Sequence, residues 1–136
     1  MKETVLWDRI RPQLLLWGEA DRVENAVGSG MSDIFYNIGG KTGWIETKVA
    51  KGDWVYFEKF QPNWMRKHNR QGARLFVVIL DAKETIHVFP VGVILAVKME
   101  VYDKWQRLRL SELPRAPITM ERPYRSWNSV KQILTS

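Results

Sequence analysis

The sequence contains no cysteine and only two histidines, His68 and His87, among its 136 residues. Without cysteine the chain forms neither disulfides nor thiolate metal sites, and we expect a cytoplasmic protein because this composition suits a reducing compartment. The histidines form no His-x-x-x-His pair. The sequence therefore disfavours both a disulfide-linked secreted fold and a zinc site built on imidazole.

Long apolar runs are also absent from the sequence. No stretch approaches the roughly 18 apolar residues of a membrane-spanning helix, and the initial Met-Lys-Glu-Thr lacks the pattern of a signal peptide. The chain has no internal repeats and no low-complexity segments. Because 45% of its residues are hydrophobic and seven are tryptophan, we expect an ordered chain with a sizeable core, forming one domain over residues 1–136.

The net charge is +6, from 21 basic and 15 acidic residues. The excess is concentrated in residues 59–74, which contain no acid; its basic residues are Lys59, Arg66, Lys67, Arg70 and Arg74. A basic segment with interleaved aromatic residues favours contact with a phosphate backbone, although a solvated helix face explains the charges equally well. We take Lys51, Lys67 and Arg70 as candidate nucleic-acid-binding residues.

The apolar pattern of the first half predicts a helix over residues 3–17, with a kink or a second start near Arg11 because Pro12 interrupts helical hydrogen bonding. A short strand is predicted over 22–27. Two further strands follow over 34–38 and 44–49, joined by a turn through Gly39-Gly40. Residues 50–56 are less regular and predict a loop that crosses the site.

The second half begins with a predicted helix over residues 60–71. A strand buried on both faces follows over 73–80, and an alternating strand over 85–91. The pattern then weakens; the elements predicted there are a strand or helix over 93–97, a loop over 110–122 and a short helix over 127–134. This order of elements predicts an α/β domain with a mixed sheet.

The most informative residues are Asp33, which opens one strand, and Glu46-Thr-Lys48, which closes the next. In adjacent antiparallel strands Asp33 and Glu46 lie side by side, and Lys48 shares the face of Glu46. Two carboxylates and an ammonium at one point suit a hard divalent cation and an activated water. A charged hairpin edge that blocks aggregation is the alternative. It explains Lys48 and Lys51 but not the placement of the carboxylates.

Asp33, 12 intervening residues and Glu46-x-Lys48 resemble the motif of the PD-(D/E)XK nuclease superfamily, with Ser32 where that motif has proline. The Gly28-x-x-x-x-Asp33 lead-in and the Trp-Ile-Glu-x-Lys strand are most similar to the VRR-NUC and Holliday-junction-resolvase branches.

Gln61-x-x-Trp64, followed by an apolar strand, is similar to the next segment of those proteins. The resemblance covers a core of about residues 1–90, and residues 91–136 form a C-terminal extension that carries no family signal. It implies a restriction-endonuclease-like fold with a mixed central β-sheet flanked by helices.

The resemblance also implies roles for the site residues. Asp33 and Glu46 would bind Mg²⁺ or Mn²⁺, and the backbone carbonyl of Thr47 would add a third oxygen. Lys48 would orient or deprotonate the attacking water, or stabilise negative charge on the phosphorane. Gln61 would lie beside the catalytic centre, although capping of the second helix or simple exposure explains it equally well.

A further acid often completes such a site. We favour Glu24, on the strand before the Gly28 turn, over Glu3, which shares the core-facing stripe of the first helix. A salt bridge to Arg22 is the alternative explanation for Glu24.

Among the tryptophans, Trp54 is the best candidate for stacking on a base because it lies just past the motif.

These features predict a metal-dependent DNA endonuclease selective for Holliday junctions or other branched DNA, leaving 5′-phosphate and 3′-hydroxyl ends as the resemblance implies. The small size suits a phage or mobile-element protein. A flap or nicking nuclease, an inactive nucleic-acid-binding module of the same fold and a restriction-type nuclease are alternatives.

A junction needs two symmetric cuts, so we expect a homodimer. Apolar residues of the C-terminal third either form its interface or pack onto the sheet of the same chain; they are Trp105, Leu108, Leu110, Leu113, Trp127, Val130, Ile133 and Leu134.

Overall fold

The computed structural model describes residues 3–23 and 33–136. In these ranges the elements in chain order are α1 (Glu3–Trp17), β1 (Glu19–Arg22), β2 (Ile34–Ile38), β3 (Lys41–Val49), β4 (Trp54–Glu58), α2 (Gln61–Arg70), β5 (Leu75–Leu80), β6 (Ile86–Pro90), α3 (Val91–Leu95), β7 (Glu100–Tyr102), β8 (Trp105–Arg109), β9 (Ile118–Met120) and α4 (Trp127–Leu134). A 3₁₀ turn covers Leu110–Glu112.

The described strands form a six-stranded sheet in the order β1-β2-β3-β5-β6-β9. Strands β3 and β5 pair in parallel, while the other neighbours pair antiparallel. The predicted mixed sheet is therefore confirmed. All six residues of β5 are buried, because α1 and α4 cover one face of the sheet while α2, α3 and a second sheet cover the other.

Helix α1 continues through Pro12 as one helix, so the predicted second start near Arg11 is wrong. Proline removes one helical hydrogen bond. Burial of Leu6, Ile10 and Leu14 against the sheet outweighs this loss and keeps the helix continuous.

The β2–β3 hairpin positions the motif. Gly39 and Gly40 have φ values of +58° and +84°, as a two-residue turn with the twist of the flanking strands requires. The Asn37 side chain accepts a hydrogen bond from the Gly40 backbone N–H at 2.9 Å. Ile34 pairs with Ile45, so the next positions outward are Asp33 and Glu46, as predicted.

A second sheet, which the sequence did not predict, packs against the first. Among the described residues it contains three strands in the order β4-β8-β7. The predicted loop over 50–56 is wrong in part because β4 begins at Trp54 and buries Val55 and Phe57. Aromatic residues alternate with these on the opposite face, which removes the polar–apolar contrast that normally reveals a strand.

Two more predictions need correction. β9 lies inside the predicted loop over 110–122 and forms an edge of the larger sheet. The predicted strand over 22–27 instead runs over Glu19–Arg22, and residues 24–27 lie outside the described ranges. Helix α3 shows that the segment over 93–97 begins as a helix.

In the part of the chain that the structure describes, no helix is long and apolar enough to span a membrane.

The C-terminal helix packs onto the sheet of its own chain. Val130 and Leu134 of α4 belong to the cluster that contains α1. The buried Tyr36 hydroxyl donates a hydrogen bond to the Leu134 carbonyl at 2.7 Å, and burial raises the pKa of this tyrosine. The alternative of packing within the same chain is therefore observed for these residues.

Candidate active site

A cavity of about 430 Å³ opens beside the carboxyl-terminal half of β3. Its lining residues come from the hairpin, from β4, from α2 and from the second sheet: Asp33, Glu46, Lys48, Val49, Lys51, Tyr56, Glu58, Gln61, Tyr102 and Trp105. The structure thus brings together four of the predicted site residues, Asp33, Glu46, Lys48 and Gln61, and adds the predicted contact residue Lys51.

Thr47 anchors the Asp33 carboxylate. Oδ2 of Asp33 accepts one hydrogen bond from the Thr47 backbone N–H at 3.0 Å and another from the Thr47 hydroxyl at 2.5 Å. Because Asp33 immediately precedes β2, this pair fixes the start of the strand against β3. The sequence predicted the Thr47 carbonyl as a metal ligand; the contacts of its amide and hydroxyl give Thr47 a further role, which is to orient Asp33.

Gln61 connects the two buried charges of the Glu-x-Lys strand. Its side-chain oxygen accepts hydrogen bonds from Lys48 Nζ at 2.9 Å and from the Glu58 backbone N–H at 2.8 Å. Its amide nitrogen donates to Glu46 Oε2 at 2.8 Å, and Lys48 Nζ lies 3.3 Å from the same oxygen. Gln61 is the first residue of α2, so the helix start positions the whole network.

The charged groups of this network are almost fully enclosed. Glu46, Lys48 and Gln61 are 2%, 6% and 3% exposed. The Lys48 ammonium also lies 4.9 Å from the centre of the Phe57 ring, an arrangement in which a cation is attracted to the aromatic face. Opposite charge, hydrogen bonds and the ring together compensate the desolvation of Lys48.

The donor set fits a small divalent cation. No group of three or more His, Cys, Asp or Glu that could hold a metal occurs within 3–23 and 33–136. The predicted pair Asp33 and Glu46 nevertheless lines one cavity, to which Glu58 adds a third carboxylate. A carboxylate that accepts hydrogen bonds still has lone pairs with which it can bind a cation. Mg²⁺ typically uses one or two protein carboxylates and completes its shell with water and substrate phosphate. The residues present therefore suit Mg²⁺ or Mn²⁺ better than a metal that requires an all-protein cage.

The remaining residues that the sequence predicted for the site or for DNA contact do not all lie at the cavity. Lys51 is on the cavity wall, with its ammonium 5.6 Å from the Tyr56 ring centre. Lys67 and Arg70 lie in the last turn of α2, exposed and away from the cavity lining. Glu24 lies outside the described residues, and Glu3 is the first residue of α1. The choice between these two acids stays a prediction.

The sequence did not assign five of the lining residues to the site: Val49, Tyr56, Glu58, Tyr102 and Trp105. Tyr56 and Glu58 alternate with the buried Val55 and Phe57 along β4, but the aromatic residues on both faces hide this alternation in the sequence. Tyr102 and Trp105 reach the cavity only because β8 pairs with β4, and no local pattern reveals that pairing.

Comparison with solved structures finds chains that are similar to this one. A Holliday junction resolvase, Hjc, from the archaeal hyperthermophile Archaeoglobus fulgidus has a TM-score of 0.54 and 22% sequence identity, over 84% of this chain and 93% of that protein. A bacterial homing endonuclease has a TM-score of 0.48 and 15% identity, over 96% of this chain and 88% of that one. No protein-family model and no curated protein matches the chain.

The likeness to the resolvase is a likeness of fold. A central mixed sheet flanked by helices is common to both chains, which confirms the fold class predicted from the sequence. This protein has a restriction-endonuclease-like α/β fold, and the Asp33, Glu46 and Lys48 cluster lies at the end of its third strand.

Proposed function

We propose that this protein is a DNA endonuclease that hydrolyses phosphodiester bonds with Mg²⁺ or Mn²⁺ as cofactor. The observation that carries the proposal is the convergence of Asp33, Glu46 and Lys48 on one cavity. Burying an ion pair such as Glu46–Lys48 contributes little net stability compared with apolar residues of the same size. Its place at a cavity wall therefore favours a chemical role over a structural one.

Each residue has a proposed role in the reaction. Asp33 and Glu46, with the Thr47 carbonyl, would hold the cation, which when bound neutralises phosphate charge and lowers the pKa of water. Lys48 places an ammonium where it orients the attacking water or stabilises charge developing at phosphorus. The water oxygen bonds to phosphorus as the bond to the 3′-oxygen breaks, and this leaves 5′-phosphate and 3′-hydroxyl ends.

For the substrate we propose branched DNA, with a Holliday junction as the leading form and a homodimer as the active species. The fold likeness to a junction resolvase supports this choice, as do the net charge of +6 and the position of Lys51 at the cavity. A flap or nicking nuclease is the alternative within the same chemistry. We also propose an origin in a phage or mobile element of the VRR-NUC or resolvase branch.

Alanine substitutions test the chemistry. Asp33→Ala, Glu46→Ala and Lys48→Ala should each abolish Mg²⁺-dependent cleavage in a panel of duplex, flap, splayed and four-way substrates. DNA binding should survive, and it should tighten for the two carboxylate variants because negative charge near the phosphates is removed. Exposed Glu121 and Lys131 provide matched controls, whose alanine variants should cut at the normal rate.

Titration of Mn²⁺ into the protein by calorimetry separates an enzyme from an inactive module of the same fold. A binding isotherm that disappears in Asp33→Ala and Glu46→Ala supports a carboxylate-held cation. Near-normal turnover in any of the three alanine variants would show that the site assignment is wrong.

The fourth acid needs its own pair of variants. Glu24→Gln and Glu3→Gln should differ, with a strong loss of cleavage for one and a mild loss for the other. Equal and small effects would place the additional acid elsewhere or show that two carboxylates suffice.

A further inference from the structure

The β7–β8 hairpin forms part of the wall of the candidate active site. Tyr102 and Trp105 are the last strand pair before the turn at Asp103 and Lys104. Both aromatic residues line the cavity that also contains Glu46. The hairpin therefore brings two aromatic side chains from the C-terminal third of the chain to the place where a scissile phosphate would bind.

The orientation of the Tyr102 ring is fixed by its neighbours. The guanidinium of Arg107 lies 3.9 Å from the centre of the Tyr102 ring and 3.7 Å from that of Trp54. Arg107 is held in turn by the Glu100 carboxylate through hydrogen bonds of 3.1 and 2.7 Å. Tyr56 adds an edge-on contact to Tyr102, with ring centres 6.2 Å apart. A ring restrained in this way pays little conformational entropy when it contacts a ligand.

Burial in the hydrophobic core does not explain Tyr102. Its surface is 48% exposed, and all three residues of β7 are exposed. Neither Tyr102 nor Trp105 belongs to the hydrophobic clusters formed by the described residues. A half-exposed, restrained aromatic ring at the wall of a polar cavity is typical of a surface on which a planar ligand stacks.

We propose that Tyr102 stacks on one unpaired nucleobase of the strand whose phosphate is bound in the cavity. The inference rests on the proposed function, because it identifies the nucleotide beside the reacting phosphate. In a duplex both faces of a base are covered by neighbouring bases, so only an unpaired or extruded base reaches the ring. Stacking on an aromatic ring tolerates every base. Tyr102 therefore selects strand structure rather than sequence. At a four-way junction, whose bases are paired, the ring would receive a base extruded beside the branch point, and DNA whose base at the cut is already unpaired avoids the cost of that extrusion.

Binding to two matched DNAs without divalent metal tests the inference. One is a duplex with a single unpaired 2-aminopurine at its centre, and the other is the same duplex with 2-aminopurine fully paired. The wild-type protein should change the fluorescence of the unpaired probe only. Tyr102→Ala should remove that change and raise the Kd for the unpaired DNA about tenfold, which corresponds to the loss of one base–aromatic stack. The Kd for the paired duplex should stay the same.

Two further variants make the result specific. Tyr102→Phe keeps the aromatic ring, so it should show the same fluorescence change and the same Kd for the unpaired DNA as the wild-type protein. Val101→Ala alters the neighbouring residue of β7, which is 75% exposed, and should behave as wild type. Thermal melting checks that all variants are folded. Unchanged fluorescence and Kd in Tyr102→Ala would overturn the inference. A wild-type protein that stacks the base but cleaves no DNA with Mg²⁺ or Mn²⁺ would instead overturn only the proposed function.

Discussion

Gln61 contacts both charged side chains of the Glu-x-Lys strand. Gln61→Ala removes its hydrogen bonds with Lys48, Glu46 and the Glu58 backbone. We expect the single-turnover cleavage rate to fall about 100-fold, the effect of a modest misplacement of reacting groups. The Kd for DNA should change little because Gln61 is 3% exposed and lies behind the charged groups.

The control for this prediction is Gln71→Ala, a change of the same residue type at the exposed C-terminal end of α2. It should leave both rate and affinity unaltered. If Gln61 had only a structural role, Gln61→Ala would lower the melting temperature without changing the cleavage rate of the folded protein. A normal rate in Gln61→Ala at a temperature where it is folded would show that Lys48 and Glu46 are positioned by other contacts.

Gly43 is a second residue whose substitution has a predictable effect, because a side chain at this position does not fit. A Cβ at this position would lie 2.3 Å from the Tyr36 hydroxyl oxygen and 2.5 Å from its ring, and Tyr36 is fully buried. We expect Gly43→Ala to lower the free energy of unfolding by about 3 kcal/mol, the upper range for overpacking. Gly92→Ala is the matched control, because no atom lies within 4 Å of the new Cβ. It should be neutral or up to about 1 kcal/mol stabilising. Urea denaturation measures both, and equal midpoints would contradict the prediction.

The site residues differ in how well the sequence predicts them, and the reason is the range of the contacts that position them. Asp33 and Glu46 lie together because a two-residue turn and a period of two fix the hairpin register. Tyr102 reaches the same cavity through the pairing of β4 with β8, which joins segments far apart in the chain. Such pairing depends on tertiary packing rather than on local pattern.

At the scale of elements, α2 combines a buried start with a charged end. Gln61 begins it at the cavity, while Lys67 and Arg70 lie in its exposed last turn, roughly 9 to 14 Å further along the axis. We expect the double variant Lys67→Glu and Arg70→Glu to weaken binding to all DNA sequences. If both side chains contact phosphates, the slope of log K against log salt should become shallower by about 1.8. Anisotropy titrations between 50 and 200 mM salt measure it.

Charge reversal of Lys131 on α4 is the comparison for that experiment. Lys131→Glu changes the net charge by the same amount per residue at a place remote from α2, so it separates a local contact from a general field effect. An unchanged slope in the α2 double variant would show that this helix end faces away from DNA.

Elements with a strong internal pattern were predicted well, and elements defined by their neighbours were not. The strand β5 is a run of six buried apolar residues, and α4 has apolar residues at helical spacing; both were predicted. β1 has three exposed residues out of four, and β9 is a three-residue strand between prolines. Each of these forms because an existing strand edge offers hydrogen-bond partners, which the sequence of the strand itself does not encode.

For the whole molecule, the fold restricts where a dimer interface can form. Four of the apolar residues considered for an interface, Leu108, Leu113, Val130 and Leu134, are buried in the core of their own chain. An interface therefore cannot be built on these four residues. Helix α1 presents Leu15 and Leu16 to solvent, 44% and 77% exposed, and among the described residues these are the large apolar side chains within helices that are classed as exposed.

Oligomeric state then tests the substrate proposal. Two symmetric cuts in a four-way junction need two active sites related by a two-fold axis, so light scattering at micromolar concentration should give a mass near twice 16.0 kDa. If α1 forms the interface, Leu16→Glu should halve the mass and abolish paired cutting of the junction while single nicks persist. Lys131→Glu on α4 should leave the mass unchanged. A strict monomer, with and without junction DNA, would contradict the junction-resolving proposal and favour a flap or nicking nuclease with the same active site.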